Sequence, residues 1–282
     1  MSKGYVIYAQ NNNSVDYVEQ AYALALSIKC SQQSINNVSL VTNDIVPDRY
    51  RRVFDQIINI PWVEDTIVTR FCGEHRWKLY HVTPYDETII LDSDMIILED
   101  ITSWWEYCSN FDIKFCSKIR NYKLELVTDT VYRKPFISNK LYNPYFALHY
   151  FKKTEFSHQF YKVLEFVCNN WEWCWTKFAP IDYQPVLSMD LATAVALEIF
   201  GNEHRLVDVN DPLEFIHMKT GIQGWMSLPD KWQDACSCVL NSKGELIVNN
   251  IKQSKIFHYV DSEFLSVGLI KQLEKLYGKK EI

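Results

Sequence analysis

Apolar and polar positions alternate along the first hundred residues with two different periods. Tyr5–Gln10 is a short apolar run of the kind found in buried strands, whereas apolar residues at helical spacing predict a helix from Asp16 to Lys29. This β–α–β alternation predicts a doubly wound, mostly parallel sheet. The other elements predicted in this half are strands at Val38–Thr42, Gln56–Ile60, Ile89–Leu91 and Met95–Leu98 and helices at Pro47–Phe54 and Arg76–Thr83.

The second half of the chain has fewer such units. A polar segment with a glycine separates Cys238–Leu240 from Leu246–Val248 and predicts a β-hairpin there. Gly201 is a natural C-cap for a helix over Met189–Phe200. The sequence has no internal repeat and no clear linker, so we predict a single domain over residues 1–282. The remaining predicted elements are strands at Phe146–Phe151 and Ile256–Val260 and helices at Glu155–Trp171 and Glu263–Tyr277.

Two carboxylates, Asp92 and Asp94, directly follow the strand predicted at Ile89–Leu91. They therefore fall at the carboxyl end of a strand, where open α/β sheets bind ligands. Anionic groups beside so apolar a segment need a positive partner. A divalent cation bridging to a diphosphate supplies one, since oxygen ligands suit Mg²⁺ or Mn²⁺. The alternative is a pair of turn aspartates that only end the strand.

The net charge of −6 is distributed unevenly. From Lys114 to Lys153 the chain has nine Lys and Arg against two acids, which gives this window +7 and leaves −13 for the rest. Aromatic residues interleave with these cations, as in surfaces that follow a phosphate backbone and stack on bases. The alternative is an ordinary solvated charge run beside core aromatics. The candidate polyanion-binding residues are Lys118, Arg120, Lys123, Arg133 and Lys134.

Two classes of protein are not favoured by the sequence. No apolar run reaches the length of a membrane span, and the N-terminus enters a strand pattern without a secretory signal. The eight cysteines are scattered and mostly lie in apolar contexts, and Cys236-Ser237-Cys238 lacks the second pair that a zinc site needs. We therefore expect reduced thiols and a cytoplasmic protein.

The first hundred residues resemble glycosyltransferase family 8, the glycogenin-like retaining enzymes with a GT-A fold. The motif LDSDMIIL, with Asp92 and Asp94, carries most of this resemblance. It implies an α/β GT-A fold, with a Rossmann-like, mostly parallel sheet and a smaller antiparallel portion on the acceptor side. The chain would divide into a nucleotide-binding half (1–100), an acceptor-side half (101–262) and a C-terminal helix (263–282). The segment RWKLYHVTPYDETIILDSDM is also similar to uncharacterised glycosyltransferases of T-even-like tailed phages, which act in the host cytoplasm.

The resemblance implies a donor site around Asp92 and Asp94, with Mn²⁺ or Mg²⁺ bound by both. The family's third metal ligand is a histidine on a late strand, for which His258 is favoured and His217 is the alternative. His217 and Lys219 would otherwise lie near the diphosphate. The other residues that the resemblance places at the nucleotide sugar are Ala9, Gln10, Asn11, Tyr17, Arg76, Lys78 and Ser93.

On the sugar side, the family has an aspartate that opens a helix. Asp190 is the best match, with Asp182 and Gln184 as competing candidates for the catalytic position. The residue after Asp190 is a leucine instead of the family's glutamine or glutamate, and Asn143-Pro144-Tyr145 stands near the place of a missing Asn-Ser-Gly. An acidic helix N-cap is the structural alternative for Asp190.

The expected function is a retaining, metal-dependent hexosyl- or pentosyltransferase that uses a UDP-sugar. Its acceptor could be double-stranded phage DNA with hydroxymethylated cytosine, bound by the basic window, or a cell-surface glycan or a protein. A non-catalytic nucleotide-sugar or nucleic-acid binding module is the alternative from another class. A nucleotidyltransferase is disfavoured, since Gln10-Asn11-Asn12-Asn13 contains no glycine.

Overall fold

The structure is a computed structural model that describes residues 1–62, 73, 75–128, 133–182, 184, 186–201, 203–220, 222 and 231–279. Its strands are β1 (Lys3–Tyr8), β2 (Val38–Val41), β3 (Gln56–Ile58), β4 (Glu87–Asp92), β5 (Met95–Ile97), β6 (Ile113–Cys116), β7 (Lys118–Arg120), β8 (Leu126–Val127), β9 (Tyr145–Lys152), β10 (Glu214–His217), β11 (Cys238–Leu240), β12 (Leu246–Val248), β13 (Ile251–Lys252) and β14 (Ile256–His258). Its helices are α1 (Tyr17–Ser31), α2 (Asp48–Arg51), α3 (Leu79–Val82), α4 (Thr102–Cys108), α5 (Lys134–Ser138), α6 (Glu155–Asn169), α7 (Trp171–Phe178), α8 (Met189–Phe200), α9 (Glu203–Leu206) and α10 (Val267–Gly278).

The largest sheet has six strands in the order β3-β2-β1-β4-β9-β6. Strands β1 to β4 run parallel to one another, and β9 runs antiparallel to both of its neighbours, β4 and β6. Side chains alternate between the two faces of this sheet. Tyr5 and Ile7 pack in a core that includes α1, whereas Val6 and Ile90 pack in a second core with α6 and α8. The predicted doubly wound, mostly parallel sheet is confirmed.

A second sheet, ordered β5-β14-β10-β7-β8, begins where the first one ends. Strand β14 runs antiparallel to β5 and parallel to β10. Only Ser93 and Asp94 separate β4 in the first sheet from β5 in the second. The Asp92-Ser93-Asp94 turn therefore links the two sheets. The predicted hairpin also forms, as β11 and β12 of a three-stranded antiparallel sheet.

Several predicted helix boundaries are corrected by the structure, and one of them is set by a capping hydroxyl. The C-terminal helix begins at Val267 because the Ser266 hydroxyl caps it by accepting from the Leu269 N–H, while Glu263 lies in a short 3₁₀ turn. The helix predicted at Arg76–Thr83 is a 3₁₀ turn followed by α3, and the one predicted at Pro47–Phe54 is only α2. The helix predicted through Trp171 divides into α6 and α7. None of the helices in the described part of the chain has the length and apolar character of a membrane span.

A buried histidine stabilises the start of β9. The His149 ring packs against Phe115 and Phe146, and its Nδ1–H donates to the Phe146 carbonyl at 2.9 Å. Burial disfavours the imidazolium and lowers the pKa of His149 to about 3. The ring is therefore neutral in the folded protein at neutral pH.

This burial predicts a loss of stability in acid. Below a pH of about 6.5 the unfolded chain binds a proton at His149 that the folded chain excludes until the pH approaches 3, so the contribution is complete above 6.5 and decreases below it. Urea unfolding at pH 7 and pH 5 should show the wild type losing up to about 2 kcal/mol more than His149→Phe, at about 1.4 kcal/mol per pH unit. Equal losses in the two proteins would contradict a buried neutral histidine.

Candidate active site

Three ligand groups meet where the two sheets join. Asp92 ends β4, Asp94 lies in the linking turn and His258 ends β14, and one ligand atom from each lies within 4.8 Å of the other two. The His258 Nε2 is 3.0 Å from Asp94 Oδ2. The strand pairing explains this proximity, because His258 lies opposite Met95 and the Tyr259 N–H donates to the Asp94 carbonyl at 3.0 Å. Two carboxylates and an imidazole suit Mn²⁺ or Mg²⁺ as a donor set.

His217 lies next to this group without being part of it. It ends β10 opposite His258, and the two rings stack with centroids 4.8 Å apart. Burial, with smaller contributions from His258 and Lys219, lowers the pKa of His217 well below its ordinary value. The structure thus brings the favoured histidine, His258, to the two aspartates, and places His217 and Lys219 in the wall of the same cavity. Metal binding by Asp92, Asp94 and His258 stays a prediction.

Arg76 is a buried cation beside the two aspartates. Its Nη2 donates a hydrogen bond to Asp92 Oδ1, and its guanidinium carbon lies 5.5 Å from the centroid of the Phe146 ring. Burial lowers the pKa of Arg76, although Asp190 and Asp94 act in the opposite direction. Its Nε has no hydrogen-bond partner among the described residues. A buried guanidinium with an unsatisfied donor fits an anionic group of a ligand.

A second part of the cavity is formed around Asp190, whose charge also acts on Arg76. Strands β4 and β9 pair as far as Leu91 and Leu148, so the residues that precede Leu148 lie at the carboxyl end of β4. One of them, Phe146, donates its N–H to Asp190 Oδ1 at 2.7 Å, and Arg133 Nη2 donates to Oδ2 at 2.6 Å. The N-cap of α8 is Ser188, so Asp190 is not the capping residue.

A cavity of about 610 Å³ connects the two ends, a volume ordinary for a small-molecule site. Val260, one of its lining residues, adopts a left-handed backbone conformation (φ 65°) that is rare for a β-branched residue. Because Val260 follows Tyr259 directly, this backbone conformation turns the chain away from the end of β14. The cavity is lined by Gly73, Arg76, Asp92, Asp94, Arg133, Tyr145, Ala147, Val186, Leu187, Ser188, Met189, Asp190, Phe215, His217, Lys219, His258 and Val260.

Asp182 and Gln184, the competing catalytic candidates, do not line this cavity. Asp182 accepts hydrogen bonds from Lys134 Nζ at 3.0 Å and from the Ser138 hydroxyl at 2.6 Å, and both contacts lower its pKa. The Gln184 carbonyl accepts from the Trp171 indole at 2.9 Å. The contacts of Asp182 give its side chain a structural role, whereas that of Gln184 involves only its backbone, and a catalytic role for either residue stays a prediction.

The residues predicted from the first strand lie outside the cavity lining. Ala9 is buried and continues the β1–β2 ladder through its N–H, and the Gln10 side chain accepts from the Tyr8 hydroxyl at 2.7 Å. The Asn11 side chain accepts from the Val18 N–H at 3.0 Å, close to Tyr17 at the start of α1. Their contact with a nucleotide stays a prediction.

Two other predicted donor contacts have mainly structural partners. The Ser93 hydroxyl donates to Gln20 Oε1 at 3.3 Å and is buried. The Lys78 ammonium lies 5.4 Å from the centroid of the Trp62 ring and does not line the cavity. Neither contact tests a role in donor binding.

In the described part of the basic window, Lys114, Arg120, Arg133 and Lys134 are paired with acids. Lys114 is a core residue with Nζ 3.0 Å from Asp211, and Arg120 Nε lies 3.0 Å from Glu214. Arg133 pairs with Asp190 inside the cavity. Lys134 pairs with Asp182, Lys118 is half-buried on β7, and Lys123 is exposed beside the Tyr122 ring. Four of the nine cations in the window are therefore paired with acids distant in sequence.

No protein-family model and no curated protein matches this sequence, but solved structures share its architecture. Mouse xyloside xylosyltransferase 1 is 12% identical, with a TM-score of 0.54 over 92% of this chain and 97% of its own. The galactosyltransferase LgtC, solved with donor and acceptor sugar analogues, is also 12% identical, with a TM-score of 0.53 over 98% and 95%. The chain has the GT-A fold. The predicted fold class is thus confirmed.

A further similar structure is a longer protein. The glycosyltransferase GlyE of Streptococcus pneumoniae is 13% identical over 75% of this chain and 46% of its own, with a TM-score of 0.43. This chain therefore spans about half of that protein's length. At these sequence identities the comparisons establish the fold and do not establish the reaction.

Replacing Asp94 by asparagine should remove metal binding and leave the fold intact, because the change removes charge and keeps shape. Loss of groups that only support a metal ligand already costs about 10- to 100-fold in affinity, so Asp94→Asn should weaken Mn²⁺ binding by about 100-fold or more. Titration calorimetry with Mn²⁺ measures this, and Asp48→Asn, at an exposed carboxylate away from the cavity, is the control. Unchanged Mn²⁺ affinity in Asp94→Asn would remove the aspartate from the metal site.

Proposed function

We propose that this protein is a retaining, metal-dependent glycosyltransferase of the family 8 type that transfers an uncharged hexosyl or pentosyl group from a UDP-sugar. The observation that carries the proposal is one cavity with two chemically different ends. One end has Asp92, Asp94 and His258 beside the buried Arg76, and the other has Asp190. The GT-A fold supports the proposal.

The charged end is suited to a diphosphate. A divalent cation bound by Asp92, Asp94 and His258 would supply Lewis-acid stabilisation of the leaving diphosphate. Arg76 presents hydrogen-bond donors from a buried position, where electrostatic interactions are stronger than in water. Lys219, in the same wall, adds a second cationic donor for the phosphate oxygens. The two residues bind the diphosphate and favour the negative charge that develops on it.

The other end is suited to the sugar. Both oxygens of Asp190 already accept hydrogen bonds, from Phe146 N–H and from Arg133, which makes this carboxylate a weak nucleophile. A fixed negative charge beside the sugar stabilises the positive charge that develops on the ring as its bond to phosphate breaks. This role is compatible with retention through attack on the same face as the departing diphosphate.

The lining of this end favours an uncharged sugar. Arg133 is neutralised by Asp190, and the neighbouring lining residues Val186, Leu187 and Met189 are apolar. A uronic acid or another anionic sugar would place its carboxylate near Asp190 without an unneutralised partner at this end among the described lining residues. We therefore expect neutral hexoses or pentoses to be used.

For the acceptor we propose a saccharide. The pairing of Arg120, Arg133 and Lys134 with acids gives no support to binding of double-stranded DNA along the basic window. A saccharide hydroxyl needs only access to the sugar end of the cavity. Hydroxymethylated phage DNA serves as the comparison acceptor when acceptors are tested.

A UDP-sugar hydrolysis screen with Mn²⁺ tests the proposed function. At least one UDP-hexose or UDP-pentose should release UDP, the rate should fall to background with EDTA or in Asp94→Asn, and UDP-glucuronate should be inactive. Added oligosaccharides should then be glycosylated, whereas hydroxymethylcytosine DNA should not be. Binding of UDP and Mn²⁺ without turnover of any donor would indicate a binding module, and transfer to DNA would overturn the proposed acceptor.

A further inference from the structure

The Arg133–Asp190 ion pair is held in place by several contacts of the arginine. Arg133 is only 6% exposed, although its segment has the composition of a basic surface. Its Nη1 donates to the Pro144 carbonyl at 3.2 Å, and its Nη2 donates to Asp190 at 2.6 Å. The guanidinium is thus fixed at two of its nitrogens.

Aromatic rings fix the guanidinium further. Its central carbon lies 3.8 Å from the centroid of the Tyr145 ring and 4.8 Å from that of Phe136. A planar guanidinium can stack on a ring and donate from its edge at the same time, whereas a lysine ammonium has no such plane. The position therefore requires arginine and not merely a positive charge.

Asp190 is held from two separate elements. Its side chain lies in the first turn of α8, yet its oxygens accept from Phe146 N–H on β9 and from Arg133. The side chain stays 27% exposed and lines the cavity. The carboxylate therefore has a fixed orientation while part of it remains accessible to a ligand.

We propose that Arg133 is the positioning residue of the sugar end: it holds the Asp190 carboxylate in one orientation. The inference rests on the proposed function, and it assigns to Arg133 a role in orienting a reacting group in place of contact with a polyanionic acceptor. Preorganised charge lowers the barrier because it needs no reorientation as the sugar becomes cationic. The effect of Arg133 is therefore exerted in the transition state and not on donor binding.

The test compares Arg133→Lys and Arg133→Ala with Arg49→Lys in the UDP-sugar hydrolysis assay with Mn²⁺. Arg49 is the matched control, since it also stacks on a tyrosine (4.8 Å from the Tyr50 centroid) and hydrogen-bonds outside the cavity. Both Arg133 variants should lose about 100-fold in kcat, with donor KM within about 3-fold of the wild type, because misplaced catalytic groups cost about that much. Arg49→Lys should keep the wild-type kcat.

A further readout separates positioning from a purely structural role. Guanidinium chloride at millimolar concentration should restore part of kcat in Arg133→Ala and none in Arg133→Lys. Thermal unfolding and UDP–Mn²⁺ binding report whether each variant is folded, and Arg133→Lys decides if Arg133→Ala does not fold.

The outcomes distinguish this inference from the proposed function. If the wild type hydrolyses no UDP-sugar, the proposed function fails and the inference fails with it. If the wild type is active and Arg133→Lys keeps its kcat, or if the Arg133 variants raise KM alone and leave kcat unchanged, the proposed function stands and the positioning role is overturned.

Discussion

The candidate site depends on holding two carboxylates side by side at the junction of two sheets. Like charges at this separation repel each other, so Asp92 and Asp94 need positive or neutral partners in fixed places. Arg76 supplies one contact and His258 the other. The turn between β4 and β5 places the carboxylates at this junction, and the pairing of β14 with β5 places the histidine there. The compensated acidic pair therefore lies where the two sheets meet.

The sugar end follows from the same sheet geometry. Because β9 runs antiparallel to β4, its first residues lie beside the end of β4, where Phe146 can bind Asp190. His149, buried in the same strand, supports the Phe146 carbonyl. The helix α8 brings Asp190 to this point from the other core. Two Arg–Asp pairs thus lie at the two ends of one cavity, each with a buried arginine.

The sequence predicted the parts of this arrangement that are local. The Asp92 and Asp94 pair, the strands around it and the helix that carries Asp190 follow from short patterns and were found where expected. The sequence favoured His258 over His217 but could not decide between them, since they end neighbouring strands and lie opposite each other in register. The choice required knowing which strand pairs with β5.

For a different reason, the sequence could not predict which acids pair with the basic window. Its acidic partners lie 48 to 97 residues further along the chain, as for Lys134 with Asp182 and Lys114 with Asp211. A local charge count cannot detect them. Arg133 was for this reason assigned to an acceptor surface, whereas the structure buries it against Asp190. The start of α10 differs from its predicted position for another reason, because the Ser266 hydroxyl caps the helix and decides where it begins.

The central claim is that Asp92, Asp94 and His258 form one metal site at the junction of the sheets. Anomalous diffraction at the manganese edge, on crystals soaked with Mn²⁺ and UDP, tests it most directly. We expect a single strong anomalous peak in the cavity, within coordination distance of both carboxylates and of His258 Nε2. A peak coordinated by His217 instead, or no peak in this cavity at saturating Mn²⁺, would contradict it.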